Sequence, residues 1–297
     1  MVSRNSPILH GQLKASHGSV NIRTRPVPHA LRDLIHPLSI ASNTTVQAYQ
    51  RDGLFLLYHE VRNASSDYSY VVQTEQFRQH LDLFASIQSN SPHCLSPGIT
   101  FDDGHISNHD VAAPLLAEYE FTAHFFITTG WTQTRPGYMG WTELQALHRA
   151  GHTIGSHGLS HSLLTRLNDT ELQRELLQPR LMLEDKLGIS VNTMSLPGGR
   201  QNSRILTACA AAGYAHVFTS VPKTAPMPLA ATIGRLNILS SMQIEWLKQM
   251  LDPQTGILAS MERKQRIKDA AKSLLGDRMY EKLWSVANRK EQEPPAA

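Results

Sequence analysis

The chain has almost no cysteine. Cys94 and Cys209 are the two in 297 residues, and neither sits in a Cys-x-x-Cys pair. That argues against a disulfide framework and against a thiolate zinc centre. No apolar run approaches the ~18 residues that a membrane-spanning helix needs. The opening stretch MVSRNSPILHGQLKASHG lacks an apolar core, so no signal peptide is expected and the expected location is cytoplasmic. No G-x-G-x-x-G follows a strand-like run, which weakens a dinucleotide-binding reading. The net charge is only +3, with Lys and Arg gathered into a block near the C-terminus alone. No nucleic-acid reader motif accompanies it, so nucleic acid is not an expected partner.

What is present is a hydrophobic content of 41% and a high count of 15 histidines. Residues 1–50 are polar, with scattered Pro, His, Ser and Asn, and read as a loosely structured N-terminal extension. Residues 51–240 then carry seven short apolar runs rich in β-branched or aromatic residues: 54–60, 98–103, 123–130, 152–157, 193–199, 215–221 and 233–239.

Helical patterns separate these runs. In 74–87, Phe77, Leu81, Phe84 and Ile87 recur at helical spacing. Segment 141–151 is expected to be capped by Thr142 and to end at Gly151, and 168–188 to be capped by Asp169 or Thr170 and to end at Gly188. Pro179 is expected to kink or split the latter. Strands alternating with helices imply a parallel sheet with helices outside it. Closed on itself, that sheet is a (β/α) barrel of seven strands, and the doubly wound open sheet is the rival. From 241 to 297 the strands stop. A helical C-terminal extension carries Ile267, Ala271, Leu274, Leu275, Met279 and Leu283 on one stripe and basic residues on the other face, ahead of a disordered tail. That stripe suits packing on the barrel, and peripheral contact with an anionic membrane is the alternative.

Polar residues collect where the apolar runs end, the edge at which parallel α/β folds build active sites. His59 and Glu60 close the first run, Asp102 and Asp103 the second, and His157 the fourth. Pro197-Gly198-Gly199-Arg200 follows the fifth. His157 and His161 stand four apart, so a helical turn would point both imidazoles one way, as a divalent ion requires. Two imidazoles and one carboxylate make an open three-ligand site, and a second carboxylate beside it can take a proton from water. Zinc suits such donors, and other first-row divalent ions would also bind.

TFDDG, followed by SHGLSH and then LPGG, resembles the polysaccharide deacetylases with a NodB-homology domain, carbohydrate esterase family 4. LLYHEV and FFITTG add to the likeness, which spans 54–239. The resemblance implies a distorted (β/α)7 barrel and metal-dependent hydrolysis of an acetyl group, usually the N-acetyl of an amino sugar or glycan. It implies Asp102 as general base, Asp103, His157 and His161 as metal ligands, and Gly198, after Pro197, as oxyanion donor.

The sequence also departs from the family pattern. Ser195 stands where the family has an arginine two residues before the proline, so Arg200 or Arg235 is left to orient Asp102. The family's late Leu-x-x-His is missing at RLNI, so His59, with His105 second, is the candidate general acid. Trp131, Tyr138 and Trp141 either stack on sugar faces or pack. The rival functions are a metal-dependent amidase of the same fold on a non-sugar C–N bond and a barrel that binds glycan or metal without turnover.

Overall fold

A computed structural model describes residues 51–64 and 66–275. The expected N-terminal extension and the tail lie outside the described residues, as do the side chains of Ala271, Leu274, Leu275, Met279 and Leu283.

The strands are β1 (Gly53–Tyr58), β2 (Glu60–Arg62), β3 (Val71–Gln73), β4 (Ser96–Phe101), β5 (His124–Ile127), β6 (Thr153–Ser156), β7 (Thr193–Ser195), β8 (His216–Phe218), β9 (Thr232–Ile233) and β10 (Arg235–Asn237). The helices are α1 (Thr74–Asn90), α2 (Ala113–Glu118), α3 (Trp141–Arg149), α4 (Asp169–Leu187), α5 (Ser203–Ala211), α6 (Ile244–Leu251) and α7 (Ile257–Leu275). Eight strands form one sheet in the order β10-β1-β4-β5-β6-β7-β8-β9, and each neighbouring pair is parallel. This is a nearly closed (β/α) barrel, with helices in the crossovers.

The expected count of seven and the observed eight describe the same chain. The last run is divided at Gly234: β9 pairs with β8, and β10 pairs with β1. A Cβ on Gly234 would lie 2.3 Å from the Val221 carbonyl oxygen, so only glycine lets the chain pass there between its two partners. The first run is divided as well. β1 stops at Tyr58, His59 forms the joint, and Glu60 opens a small parallel pair, β2 with β3, outside the main sheet.

The alternation of β1 builds both faces of the wall. Leu54, Leu56 and Tyr58 belong to the main core with Phe77, Leu81 and Phe84 of α1. Phe55 joins Phe126, Phe218, Ala225 and Ile233 in a second cluster, inside the ring.

Four local expectations need correction. α3 is capped at Gly140, not Thr142, because Gly140 N–H donates to Glu143 Oε2 at 2.8 Å. α4 is capped by Asn168, one residue ahead of Asp169. Its side chain accepts from Glu171 N–H at 3.0 Å, and Asn168 N–H donates back to Glu171 Oε2 at 2.9 Å. Pro179 does not split α4, which runs on to its Gly188 cap. Proline inside a helix costs about 3 kcal/mol. Burying Leu172, Leu176 and Leu183 on the inner face contributes about 1.5–3 kcal/mol each, so packing wins. On α7, Leu258 packs on the main core, but Ile267 is 70% exposed, so the expected stripe does not cover the barrel there.

Candidate active site

The C-terminal strand ends converge on one mouth. β4 ends at Phe101, and the next residue, Asp102, still donates its N–H to Tyr58 O at 3.0 Å. Asp103 then turns left-handed with φ +75°, followed by Gly104 at +88°. Extended backbone would send the two carboxylates to opposite faces of the sheet. The left-handed turn, which Asp tolerates better than most residues, brings both toward His157 Nε2, at 3.9 Å from Asp102 Oδ2 and 3.3 Å from Asp103 Oδ1.

Asp102 is 2% exposed and clamped. Arg235 Nη1 donates to Oδ1 at 2.7 Å and Nη2 to Oδ2 at 2.8 Å. Ser195 Oγ donates to Oδ2 at 2.9 Å. Arg235, wholly buried, also donates to Thr100 Oγ1 and to Thr219 O, each at 3.1 Å. Its guanidinium lies 5.4 Å from the Phe126 ring and 5.8 Å from that of Phe218, so the aromatic cluster inside the ring is its floor. Burial pushes the Asp102 carboxyl up. Arg235 and then His157 more than offset this and hold it below the usual value.

Asp103 faces the histidines. Its Oδ1 is 3.3 Å from His157 Nε2 and 3.3 Å from His161 Nε2. That oxygen is buried and has no hydrogen-bond partner among the described residues. His157 Nδ1 donates to Ser195 O at 2.9 Å, a tautomer that leaves a bare lone pair on Nε2. One ligand atom from each of Asp103, His157 and His161 lies within 4.8 Å of the others. An orphaned carboxylate oxygen facing two imidazoles, one with a fixed lone pair, fits a divalent ion.

The local structure of the histidine pair differs from the expectation. Residues 157–161 are not helical but form a bent loop, with Gly158 at φ +83° and His161 at φ +62°. The rings meet because the loop doubles back, not because of a 3.6-residue repeat; their centroids are 5.0 Å apart.

His59 reaches the same mouth. Its ring lies against Tyr70, with centroids 4.6 Å apart, and its Nδ1 is buried without a partner among the described residues. Burial pulls its pKa down, against the pull of Asp103 and Asp102. His105 is engaged at the rim instead. Arg62 Nη2 donates to its Nε2 at 2.8 Å, and Ser107 Oγ lies 2.9 Å from its Nδ1. Burial, then Arg62, lowers its pKa to about 4. Pro197 is buried in a 3-10 turn, where Gly198 adopts φ +65°. Arg200, the next residue after that turn, is exposed, and the arginine that the fold brings to Asp102 is Arg235. Trp131 touches His161 and Tyr138, Tyr138 meets His105, and Trp141 packs on the core.

Two contributors are not legible in the sequence. Ser195 stands out there only as a departure from a pattern, yet its hydroxyl bonds Asp102 and its carbonyl bonds His157. Glu175 gives no signal, since it reads as one more charge on a solvated helix.

A family model for polysaccharide deacetylases matches residues 90–217. The Bacillus subtilis protein YxkH, whose name assigns it to polysaccharide deacetylases, is 25% identical over 188 residues, which cover 57% of this chain and 65% of that protein. Chitin deacetylase 1 of Cryptococcus neoformans is 29% identical over 120 residues, 40% of this chain and 24% of that protein. The chain therefore spans less than two thirds of these relatives' lengths. Among solved structures, the Streptococcus pyogenes deacetylase PplD in complex with acetate superposes with a TM-score of 0.61 at 21% identity, covering 68% of this chain and 99% of that one. That likeness is one of fold. No helix of the described residues is long and apolar enough to cross a membrane.

Proposed function

We propose, from the match of residues 90–217 to the polysaccharide deacetylase family model, that the chain is a metal-dependent hydrolase removing an acetyl or other N-acyl group from an amino sugar or glycan. The observation that carries this reading is the meeting of Asp103, His157 and His161 beside an arginine-clamped Asp102 at one barrel mouth.

A divalent ion held by these three residues, zinc or another first-row ion, would lower the pKa of water toward ~7 and polarise the acyl carbonyl. Asp102 takes the proton of the attacking water. Arg235 and Ser195 occupy positions on its oxygens that fix the carboxylate's orientation, and the Arg235 guanidinium keeps it ionised. The Gly198 N–H donates to the carbonyl oxygen as negative charge develops. His59, without a partner at Nδ1 among the described residues and within the field of both aspartates, gives a proton to the departing amine. Tyr70, Trp131 and Tyr138 line the approach and suit the apolar faces of sugar rings.

The test is a mass-spectrometric screen of N-acylated sugars and oligosaccharides with metal-reconstituted protein, using Asp102→Asn as control. Acetate released by the wild type and not by the variant supports the reading. Turnover of non-sugar amides alone would reassign it as an amidase. Binding without turnover, unchanged in Asp102→Asn, would make it a glycan-binding barrel.

A further inference from the structure

Glu175 lies on α4, outside the set of residues that meets at the mouth, and is only 7% exposed. A carboxylate so buried needs partners. Its three hydrogen bonds among the described residues all go to the middle of the His157–His161 loop. Oε2 accepts from Leu159 N–H at 2.9 Å and from Ser160 N–H at 3.0 Å, and Oε1 accepts from Ser160 Oγ at 2.6 Å. The loop's other side is tied to the segment after β5: Thr129 N–H donates to Gly158 O at 3.2 Å, and Gly130 N–H to Leu159 O at 2.8 Å.

A loop with two left-handed residues has no repeating ladder of its own to fix it. Its shape is set by what grips it from outside, here a β5-side clamp and one carboxylate. The two histidines are not equally exposed to a failure of that grip. His157 has its own anchor, Nδ1 on Ser195 O. His161, 35% exposed at its side chain and at φ +62°, follows directly on Ser160.

We propose that Glu175 is a positioning residue: its carboxylate holds the 157–161 loop so that His161 Nε2 meets Asp103 Oδ1 alongside His157. The inference rests on the ion-binding role proposed for those three residues. It assigns Glu175 no contact with substrate or ion. Acceptor geometry, rather than charge, carries the effect.

The test is competition titration of the full chain with a chromophoric chelator for Zn(II), paired with the visible spectrum of the Co(II) form. Glu175→Leu is expected to weaken ion binding about 10- to 100-fold, the usual scale for a lost supporting contact, and to alter the Co(II) bands. Glu175→Asp, one methylene shorter, keeps the charge but loses reach, and is expected to weaken binding comparably. Glu175→Gln keeps an oxygen for the two N–H groups and is expected to stay close to wild type. A Leu variant that is folded by circular dichroism and thermal unfolding, yet binds with wild-type affinity, overturns the proposal. If the Leu variant does not fold, unchanged affinity in the Asp variant overturns it equally. A Gln variant as weak as Glu175→Asp overturns the acceptor argument. Wild-type protein with no binding sensitive to Asp103→Ala would instead overturn the ion site itself, and this inference with it.

Discussion

Arg235 and Asp102 meet as a two-pronged ion pair, 2.7 and 2.8 Å, with side-chain exposures of 0% and 3%. Arg235 opens β10 and Asp102 directly follows β4, two strands that are not neighbours, since β1 lies between them. A long side chain crosses the barrel interior to reach the carboxylate. Arg235→Leu leaves Asp102 buried and uncompensated, a loss of about 3–5 kcal/mol. Without the guanidinium the Asp102 pKa rises. A carboxyl depressed in the folded state stabilises above its unfolded value of ~3.9, and that stability is lost as pH falls through the lower folded value. Urea unfolding of Arg235→Leu should therefore show a lower midpoint at pH 7 and a shallower loss of stability on acidification. Arg235→Lys, which keeps the charge without the fork, should be less unstable but still low in kcat.

The two aspartates should separate cleanly in function. Asp102→Asn is expected to lower kcat by about 100- to 10 000-fold, the range for a lost general base, with ion affinity close to wild type. Asp103→Asn should do the reverse and lose the ion first. Equilibrium dialysis beside initial rates measures both. Loss of the ion in both variants would contradict the division of labour.

His59 is best tested by leaving group. An amine must be protonated as it departs, whereas an activated aryl oxide need not be. His59→Gln should cost about 100- to 10 000-fold on an N-acetyl sugar and little on an aryl acetate. Equal losses on both substrates would remove His59 from the acid role.

Two buried histidines away from the mouth should set the acid limit of stability. His80, 1% exposed and 3.0 Å from the Tyr58 hydroxyl, has its pKa lowered to about 4 by burial. His152, 5% exposed, accepts Ala123 N–H at its Nδ1 and is likewise lowered to about 4 by burial. Between pH ~6.5 and 4 the unfolded chain binds the protons that the folded chain refuses. Stability is thus full above pH ~6.5 and falls toward pH 4, by up to about 3 kcal/mol for each group. His80→Gln should flatten the slope of Tm against pH in that window. An unchanged slope would show that other groups control it.

Much of the barrel and its mouth is legible in the sequence. Strand runs, the carboxylates after TFDDG and the order of the His-x-x-x-His segment are local patterns, written in residues that stand close together in the chain. α4 likewise ends at Gly188 as expected, because a left-handed cap is a one-residue requirement. Local reading fails where partners are far apart in sequence. Pro179 looks like a break, but the packing of α4 on the barrel overrides it.

The sequence by itself determined that two carboxylates and one imidazole would stand at strand ends, with a second imidazole four residues on. It did not determine how they would meet. That His157 and His161 converge through a bent loop rather than a helix depends on Glu175 and the β5-side clamp, which tertiary contacts supply. Whether Arg200 or Arg235 would reach Asp102 depended on which side chain points into the ring. Strand pairing settles that register, since the split at Gly234 lets β10 join β1 and sends Arg235 inward, while Arg200 stays in solvent. Alternation along a strand says that one face is buried. Only closure of the barrel says what that face will meet.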